Sequence, residues 1–217
     1  MEQPRIETKN VETLFESRFV KVFDLQYAPG KHYYNASRRE KEALCAVKSD
    51  EALRASLPDA VSCVVILETA GEEPRLLLSY EYRYPAGRFL LSVPAGLIDP
   101  EDAAEKEPVF TAAKREILEE TGLTFGAGDE LRMISPFAFS TPGMTDESNA
   151  IVLVRLRDPD LSVLDQSGAV GSELFDGFCM LTRQQAREIL TRGTDPRGNF
   201  YSVYTLIALT VFLAEPV

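Results

Sequence analysis

Alternation of apolar and polar residues predicts a β-rich start to the chain. Residues 19–27 alternate in this way, which is the period of a strand with one buried face. A Pro-Gly turn over residues 28–31 follows, and residues 33–47 are predicted to return as a second strand. Because such a hairpin must pack its apolar face on something, residues 1–57 are predicted to form a small antiparallel β-subdomain.

The pattern changes after Pro58, where strands and helices are predicted to alternate. Residues 61–67 are almost continuously apolar, as in a strand that is buried on both faces. Further strands are predicted over residues 75–82, 88–93, 131–140 and 151–156, and helices over residues 182–192 and 202–213. The chain therefore predicts an α+β fold, with a second domain over residues 58–217.

A further helix is predicted between Pro108 and Gly122. Proline suits the first helical position because its missing N–H would be unpaired there, and glycine suits the residue that closes a helix. Val109, Ala113 and Ile117 recur at a spacing of four residues, which predicts a buried apolar stripe.

Another side of this helix carries three glutamates, Glu116, Glu119 and Glu120. Like charges at these spacings destabilise a helix, and the helix dipole disfavours anions near its C-terminal end. Arg115 can neutralise one carboxylate, and a divalent ion such as Mg²⁺, with Mn²⁺ as the alternative, can neutralise the others. The residues therefore favour a metal site, with a solvated acidic helix face as the alternative.

The surrounding stretch resembles the signature of the Nudix hydrolases. That signature is a glycine, five residues, a glutamate, seven residues, Arg-Glu, an aliphatic residue, any residue, Glu-Glu, any residue, glycine and an aliphatic residue. Glu107 and residues 115–123 match it. Gly96 matches in type, but ten residues separate it from Glu107. We interpret the extra residues, within 100–106, as an enlarged loop, because loops tolerate insertion.

Residues 81–88 and 93–99 sharpen this resemblance to the ADP-ribose pyrophosphatase branch of the family. There a Tyr-Arg-x-Pro stretch leads into Pro-Ala-Gly-Leu-Ile-Asp, as Tyr82-Arg83 and the residues after Val93 do here. The resemblance implies a Nudix fold, in which a mixed β-sheet packs between helices as an α/β/α sandwich. It also implies a homodimer that is formed through the N-terminal subdomain.

The resemblance assigns roles to particular residues. It implies that Glu116, Glu120 and the carbonyl of Ala95 bind metal, and that Glu119 completes or supports this shell. Arg115 is expected to orient the glutamates, and Glu107 to pair with Arg115 or to join the metal cluster.

Two further roles follow from the same branch. Arg83 and Arg88 are candidates for binding the substrate's phosphates, because a guanidinium group matches phosphate geometry. Residues 141–148 read as a mobile turn, and Glu147 within it occupies the position of the general base.

Composition narrows the possible partners. The chain of 217 residues has a net charge of −11 and a pI of about 4.7, which argues against nucleic acid as a partner. Its longest apolar run, residues 201–214, is too short to span a membrane. Three cysteines lie far apart without a metal-binding spacing, so a reducing cytoplasm is the expected setting.

We therefore expect metal-dependent hydrolysis of a nucleoside diphosphate derivative, with ADP-ribose giving AMP and ribose 5-phosphate. Two alternatives remain open at this stage. The substrate could be another ADP-sugar, NADH or a different pyrophosphate, because the signature specifies the chemistry and not the flanking groups. Alternatively, the chain could be a non-catalytic Nudix-like module that senses a nucleotide.

Overall fold

The computed structural model describes residues 4–168 and 171–216, and these form two compact units. The first unit contains the described residues up to Asp59 together with Phe137–Asn149. The second contains Ala60–Pro136 and the described residues from Ala150 onward. The sequence predicts a boundary near residue 57, but it does not predict that Phe137–Asn149 groups with the N-terminal residues.

The first unit is built on a three-stranded antiparallel sheet in the order β1-β2-β3. Its strands are β1 Val11–Glu16, β2 Lys21–Ala28 and β3 Lys31–Ser37. Phe23 and Leu25 of β2 pack with Val11 and Leu44 in a small apolar core. This confirms the predicted antiparallel β-subdomain.

In this unit the sequence analysis missed one strand and predicted another to be too long. Strand β1 was not predicted, because only Val11 among its six residues is buried and the strand shows no amphipathic alternation. Strand β3 ends at Ser37 rather than at Val47, because the chain then makes two short 3-10 turns. A short helix follows these turns, α1 Asp50–Arg54, and its N-terminus is capped by Ser49.

A seven-stranded sheet has the path β10-β5-β4-β9-β8, with β6 paired to β5 and β7 paired to β4. Its strands are β4 Ala60–Glu68, β5 Arg75–Arg83, β6 Arg88–Ser92, β7 Ala95–Leu97, β8 Glu130–Phe139, β9 Ser148–Arg157 and β10 Phe175–Leu181. The sequence predicted β4, β5, β6, β8 and β9, but not the short β7 or the edge strand β10.

Helices cover both faces of this sheet. The helices are α2 Pro100–Ala103, α3 Pro108–Thr121, α4 Arg183–Arg192 and α5 Val203–Ala214. Val64 and Ile66 of β4 belong to the core that contains residues of α4 and α5. Val61, Cys63 and Val65, which alternate with them, belong to the core that contains residues of α3. The predicted arrangement, a mixed sheet packed between helices, is therefore confirmed.

Helix α3 has the ends that the sequence predicts. Pro108 occupies its first turn, and Gly122 closes it in the left-handed conformation with φ of 75°. The amide of Gly122 donates to the carbonyl of Leu118 at 2.8 Å. Among residues 4–168 and 171–216, no helix has the length and apolar character needed to cross a membrane.

Candidate active site

Two glutamates of α3 are buried on the side of the helix that faces β7. Glu116 is 6% exposed and Glu120 is 4% exposed, whereas the side chain of Glu119 is partly exposed. Burial raises the pKa of Glu116 to about 7. Burial, followed by the charges of Glu81 and Glu116, raises the pKa of Glu120 well above its ordinary value. This pair of carboxylates is therefore costly to ionise without a cation.

Strand β7 brings the backbone of Ala95 and Gly96 against these two carboxylates. The amide of Ala95 lies 3.4 Å from Oε1 of Glu120, as a long hydrogen bond. A Cβ atom built on Gly96 would lie 1.9 Å from Oε1 of Glu116, so only glycine leaves room for that carboxylate. The structure thus brings together Gly96, Ala95, Glu116 and Glu120, as the sequence predicts.

The arrangement fits a hard divalent cation. Oε2 of Glu120 is buried and has no hydrogen-bond partner among the described residues. Within those residues, no three His, Cys, Asp or Glu side chains form a group that could hold a metal ion. Mg²⁺ needs only one or two protein carboxylates, because it completes its shell with water and substrate phosphate oxygens. Glu116 and Glu120 can supply those two carboxylates.

Arg115 links the glutamates to the residues before the helix. Its Nη1 donates to Oε1 of Glu116 at 2.7 Å and to Oε2 of Glu119 at 3.1 Å. Its Nη2 donates to the carbonyl of Leu97 and to Oδ2 of Asp102, each at 2.8 Å. The guanidinium group therefore holds the glutamate side chains in place, which is the orienting geometry that the sequence predicts for it.

Asp102 takes the place that the sequence assigned to Glu107. Residues 100–103 form α2, which makes contacts with α3, and Asp102 is 4% exposed beside Arg115. Burial acts to raise the pKa of Asp102, but hydrogen bonds from Arg115 and from the amide of Asp99, together with the charge of Arg115, outweigh it and hold that pKa below its ordinary value. Glu107 is exposed at the N-cap of α3 and makes no capping hydrogen bond with its side chain.

The predicted pairing of Glu107 with Arg115 was therefore wrong. The ion pairs of Arg115 go to Asp99, Asp102, Glu116 and Glu119. A signal for this was present in the sequence: five residues separate Gly96 from Asp102, which is the spacing of the signature glutamate. The extra residues thus lie between Asp102 and Arg115, and an aspartate replaces the glutamate.

The hairpin of β5 and β6 places the two predicted phosphate-binding arginines opposite each other. Arg83 and Arg88 are register partners at the end of this hairpin. Nη2 of Arg83 pairs with Oε2 of Glu81 at 2.5 Å, and Glu81 is 8% exposed. Sequence analysis did not single out Glu81, whose buried carboxylate is close enough to Glu120 to raise the pKa of Glu120.

Glu147 lies in the first unit, and its side chain is partly exposed. Its Oε1 accepts from Nε of Arg38 at 3.3 Å, and its Oε2 accepts from the hydroxyl of Ser140 at 3.3 Å. Its role as the general base stays a prediction.

Comparison with known proteins bears on the identity of this site. The sequence profile of the NUDIX domain matches residues 56–202. Over 96 residues the chain is 38% identical to putative nudix hydrolase 2 of Caenorhabditis elegans, covering 44% of this chain and 39% of that protein. Over 125 residues it is 30% identical to the ADP-ribose pyrophosphatase of Saccharomyces cerevisiae, covering 57% and 49%.

Two further similarities complete the comparison. The chain is 29% identical over 133 residues to the ADP-ribose pyrophosphatase of Bacillus subtilis, covering 61% of this chain and 63% of that protein. A crystal structure of an ADP compounds hydrolase superposes with a TM-score of 0.58 at 22% identity, covering 98% of this chain and 93% of that chain. The structural similarity concerns the fold, and the matched stretch spans less than two thirds of each curated relative.

Proposed function

This chain belongs to the Nudix family, and we propose that it hydrolyses the pyrophosphate linkage of ADP-ribose to AMP and ribose 5-phosphate. One observation carries the proposal. Glu116 and Glu120 are buried together beside Ala95 and Gly96, and one carboxylate oxygen has no hydrogen-bond partner among the described residues. Two buried like charges destabilise the fold unless they serve a cation.

The chain's own residues provide the binding part of the mechanism. Glu116 and Glu120 would hold Mg²⁺, with the carbonyl of Ala95 as a further ligand and with Glu119 supporting the shell. When bound, the ion supplies positive charge that offsets the negative phosphate oxygens and orients them for attack. Arg115 fixes the glutamate carboxylates through hydrogen bonds before any ligand arrives.

The β5–β6 hairpin is suited to hold the substrate's phosphates. Like charges directly opposite each other destabilise an antiparallel pair. Because Arg83 lies across from Arg88, a bound anion would reduce the repulsion between them. The pairing of Arg83 with Glu81 restrains its guanidinium group. A diphosphate bound between these two side chains would offset their mutual repulsion and would accept hydrogen bonds from both guanidinium groups.

Glu147 completes the proposed mechanism as the proton acceptor. A water molecule attacks phosphorus, the P–O–P bond breaks, and a carboxylate oxygen of Glu147 takes the proton that the water loses.

The branch resemblance also supports a homodimer. The three free thiols of Cys45, Cys63 and Cys179 suit a reducing cytoplasm.

The test is hydrolysis of a panel that contains ADP-ribose, ADP-glucose, NADH and a dinucleoside polyphosphate, with and without Mg²⁺. AMP release would be measured by chromatography for the wild type and for Glu120→Gln, with Glu188→Gln as an exposed control on α4. We expect Glu120→Gln to lose about 1,000-fold in turnover or more, because the ion loses a carboxylate ligand. The control should match the wild type.

Different results would point to different errors. Turnover that persists in excess chelator would exclude the metal role of Glu116 and Glu120. Release of AMP from another ADP-sugar alone would change the substrate but preserve the site. Binding of ADP-ribose without hydrolysis of any panel member would favour the nucleotide-sensing alternative.

A further inference from the structure

The segment that carries Glu147 is held by the N-terminal sheet of the same chain. The amide of Ala36 in β3 donates to the carbonyl of Met144 at 2.9 Å, and Ala36 forms a parallel bridge with Thr145. The hydroxyl of Tyr33 donates to the carbonyl of Gly143 at 2.7 Å. The sequence predicted a mobile turn here, whereas the structure joins this segment to β3 through an isolated bridge and two hydrogen bonds.

Arg39, two residues after the end of β3, makes more of these contacts than any other residue named here. Its side chain is only 10% exposed, and its Nη2 lies 2.7 Å from Oδ2 of Asp59 and 3.1 Å from the hydroxyl of Ser148. Its Nη1 donates to the carbonyl of Asp146 at 2.6 Å and lies 3.5 Å from Oδ2 of the same residue. One guanidinium group thus ties together Asp59, Asp146 and Ser148.

The acceptors around Arg39 are themselves buried and shared. Oδ2 of Asp59 also accepts from the amide and from the hydroxyl of Ser148, at 2.8 and 3.0 Å. Oδ2 of Asp146, which is 8% exposed, also accepts from the amide of Cys45 at 3.0 Å. Without Arg39, the largely buried carboxylates of Asp59 and Asp146 would lose the cation that they share, which is a strongly unfavourable change. A lysine could supply the charge but not the forked geometry.

Glu147 stands between the two residues that Arg39 holds, Asp146 and Ser148. Its own carboxylate is fixed from two sides, by Arg38 at 3.3 Å and by Ser140 at 3.3 Å. The amide of Ser140 also donates to the carbonyl of Glu147 at 3.0 Å. Hydrogen bonds to neighbouring residues therefore restrain the backbone of Glu147, and they orient its carboxylate before any substrate binds.

We propose that Arg39 is a positioning residue, which holds the 141–148 segment against β3 and thereby fixes Glu147 for proton transfer. The N-terminal sheet would then help to position a catalytic residue of its own chain, in addition to any role in dimerisation. This inference rests on the proposed function, because it assigns Arg39 an effect on the step that Glu147 performs. Misplacement of a catalytic group by about 1 Å can cost about 100-fold in rate.

Steady-state kinetics with ADP-ribose test the proposal. Arg39→Ala should lower kcat by about 10- to 100-fold with a nearly unchanged KM, because Glu147 is displaced while the phosphate-binding residues are intact. Arg39→Lys should recover only part of this loss. Arg54→Ala is the matched control, since Arg54 is an exposed arginine of the same unit that pairs with Asp50. A wild-type kcat in folded Arg39→Ala would overturn the proposal.

Hydrogen exchange gives a reading that does not depend on turnover. In Arg39→Ala, faster exchange should be confined to residues 141–148 and to the amides around Ala36 and Cys45, because their partners are released. Unchanged exchange at these amides would contradict the proposed positioning of the 141–148 segment by Arg39. Should Arg39→Ala fail to fold, Arg39→Lys decides the matter: a lowered kcat supports positioning, and a wild-type kcat overturns it.

Glu147→Gln separates this inference from the proposed function. If Glu147→Gln is as active as the wild type, the assignment of the base is wrong, and the positioning role falls with it. If Glu147→Gln is inactive and Arg39→Ala is fully active, the proposed function stands and the inference alone is wrong.

Discussion

At the residue scale, the site is defined by carboxylates whose environments differ although their chemistry is the same. Burial raises the pKa of Glu116 and Glu120, whereas Arg115 holds the pKa of Asp102 below its ordinary value. The first two are prepared to receive a cation, and the third already has one. Asp102 is therefore suited to orient Arg115, and Glu116 and Glu120 are suited to bind metal.

Substitution of Asp102 and of Glu107 should separate these roles. Asp102→Asn removes the anchor of Arg115 and should lower kcat with ADP-ribose by about 10- to 100-fold, the usual effect of disturbing a residue that orients metal ligands. Glu107→Gln should stay within about twofold of the wild type, because an exposed carboxylate contributes little. Both variants would be compared by steady-state kinetics at saturating Mg²⁺. The reverse ranking would restore Glu107 to the site.

At the element scale, the site is formed where the short strand β7 meets the helix α3. Strand β7 is only three residues long, and its register partners are Ala60, Val61 and Ser62 of β4. That pairing sets the position of Gly96 against the carboxylate of Glu116. The glycine is required by close approach of a side chain, since its φ is not in the left-handed region.

Gly96→Ala tests this close approach. The added methyl group would sit 1.9 Å from a carboxylate oxygen, and the end of the Glu116 side chain must move away. We expect the Mg²⁺ concentration that gives half-maximal kcat to rise by at least about tenfold. The thermal midpoint should stay within a few degrees of the wild type, because a flexible side chain moves more easily than backbone. Titration of activity with Mg²⁺ and calorimetry would check this.

Gly128→Ala is the control for Gly96→Ala. A Cβ atom at Gly128 meets its nearest neighbour, Cδ of Arg157, at 3.9 Å, which is an ordinary contact. Both metal dependence and stability should therefore remain those of the wild type. An equal loss in the two variants would show that the effect is not specific to Glu116.

At the scale of the whole molecule, the N-terminal unit has a small core and an exposed apolar surface. Its buried apolar residues are Val11, Phe23, Leu25 and Leu44. Large side chains at Phe15, Phe19 and Tyr34 are 54%, 69% and 60% exposed. Exposed aromatic side chains of this kind suit an interface, where they can bury a large apolar area. A second copy of the chain is the partner that the branch resemblance predicts.

Removal of residues 1–57 should have two separable effects. It should weaken dimerisation, measured by light scattering, and it should lower kcat, because the 141–148 segment loses Tyr33, Ala36 and Arg39 as partners. The double substitution Phe15→Ser and Phe19→Ser should give a monomer without touching those contacts. A truncated chain that remains a fully active dimer would refute both proposed roles of the N-terminal unit, in dimerisation and in holding the 141–148 segment.

The sequence by itself determined those features that depend on neighbouring residues. The periodicity of residues 61–67 and the end signals Pro108 and Gly122 correctly predicted β4 and α3, because local patterns encode local structure. The spacing of Glu116 and Glu120 put both on one side of a helix, and the family signature gave that side a chemistry. The structure confirms that the two are buried together beside Ala95.

Tertiary structure decided the features that depend on contacts between distant segments. Which carboxylate reaches Arg115 depends on how the residues before α3 fold, and α2 brings Asp102 to that arginine. The grouping of Phe137–Asn149 with the N-terminal residues involves distant contacts, such as those of Arg39 with Asp146 and Ser148, more than a hundred residues later. Such pairings leave no periodic pattern, since burial and charge compensation select them only after the chain has folded.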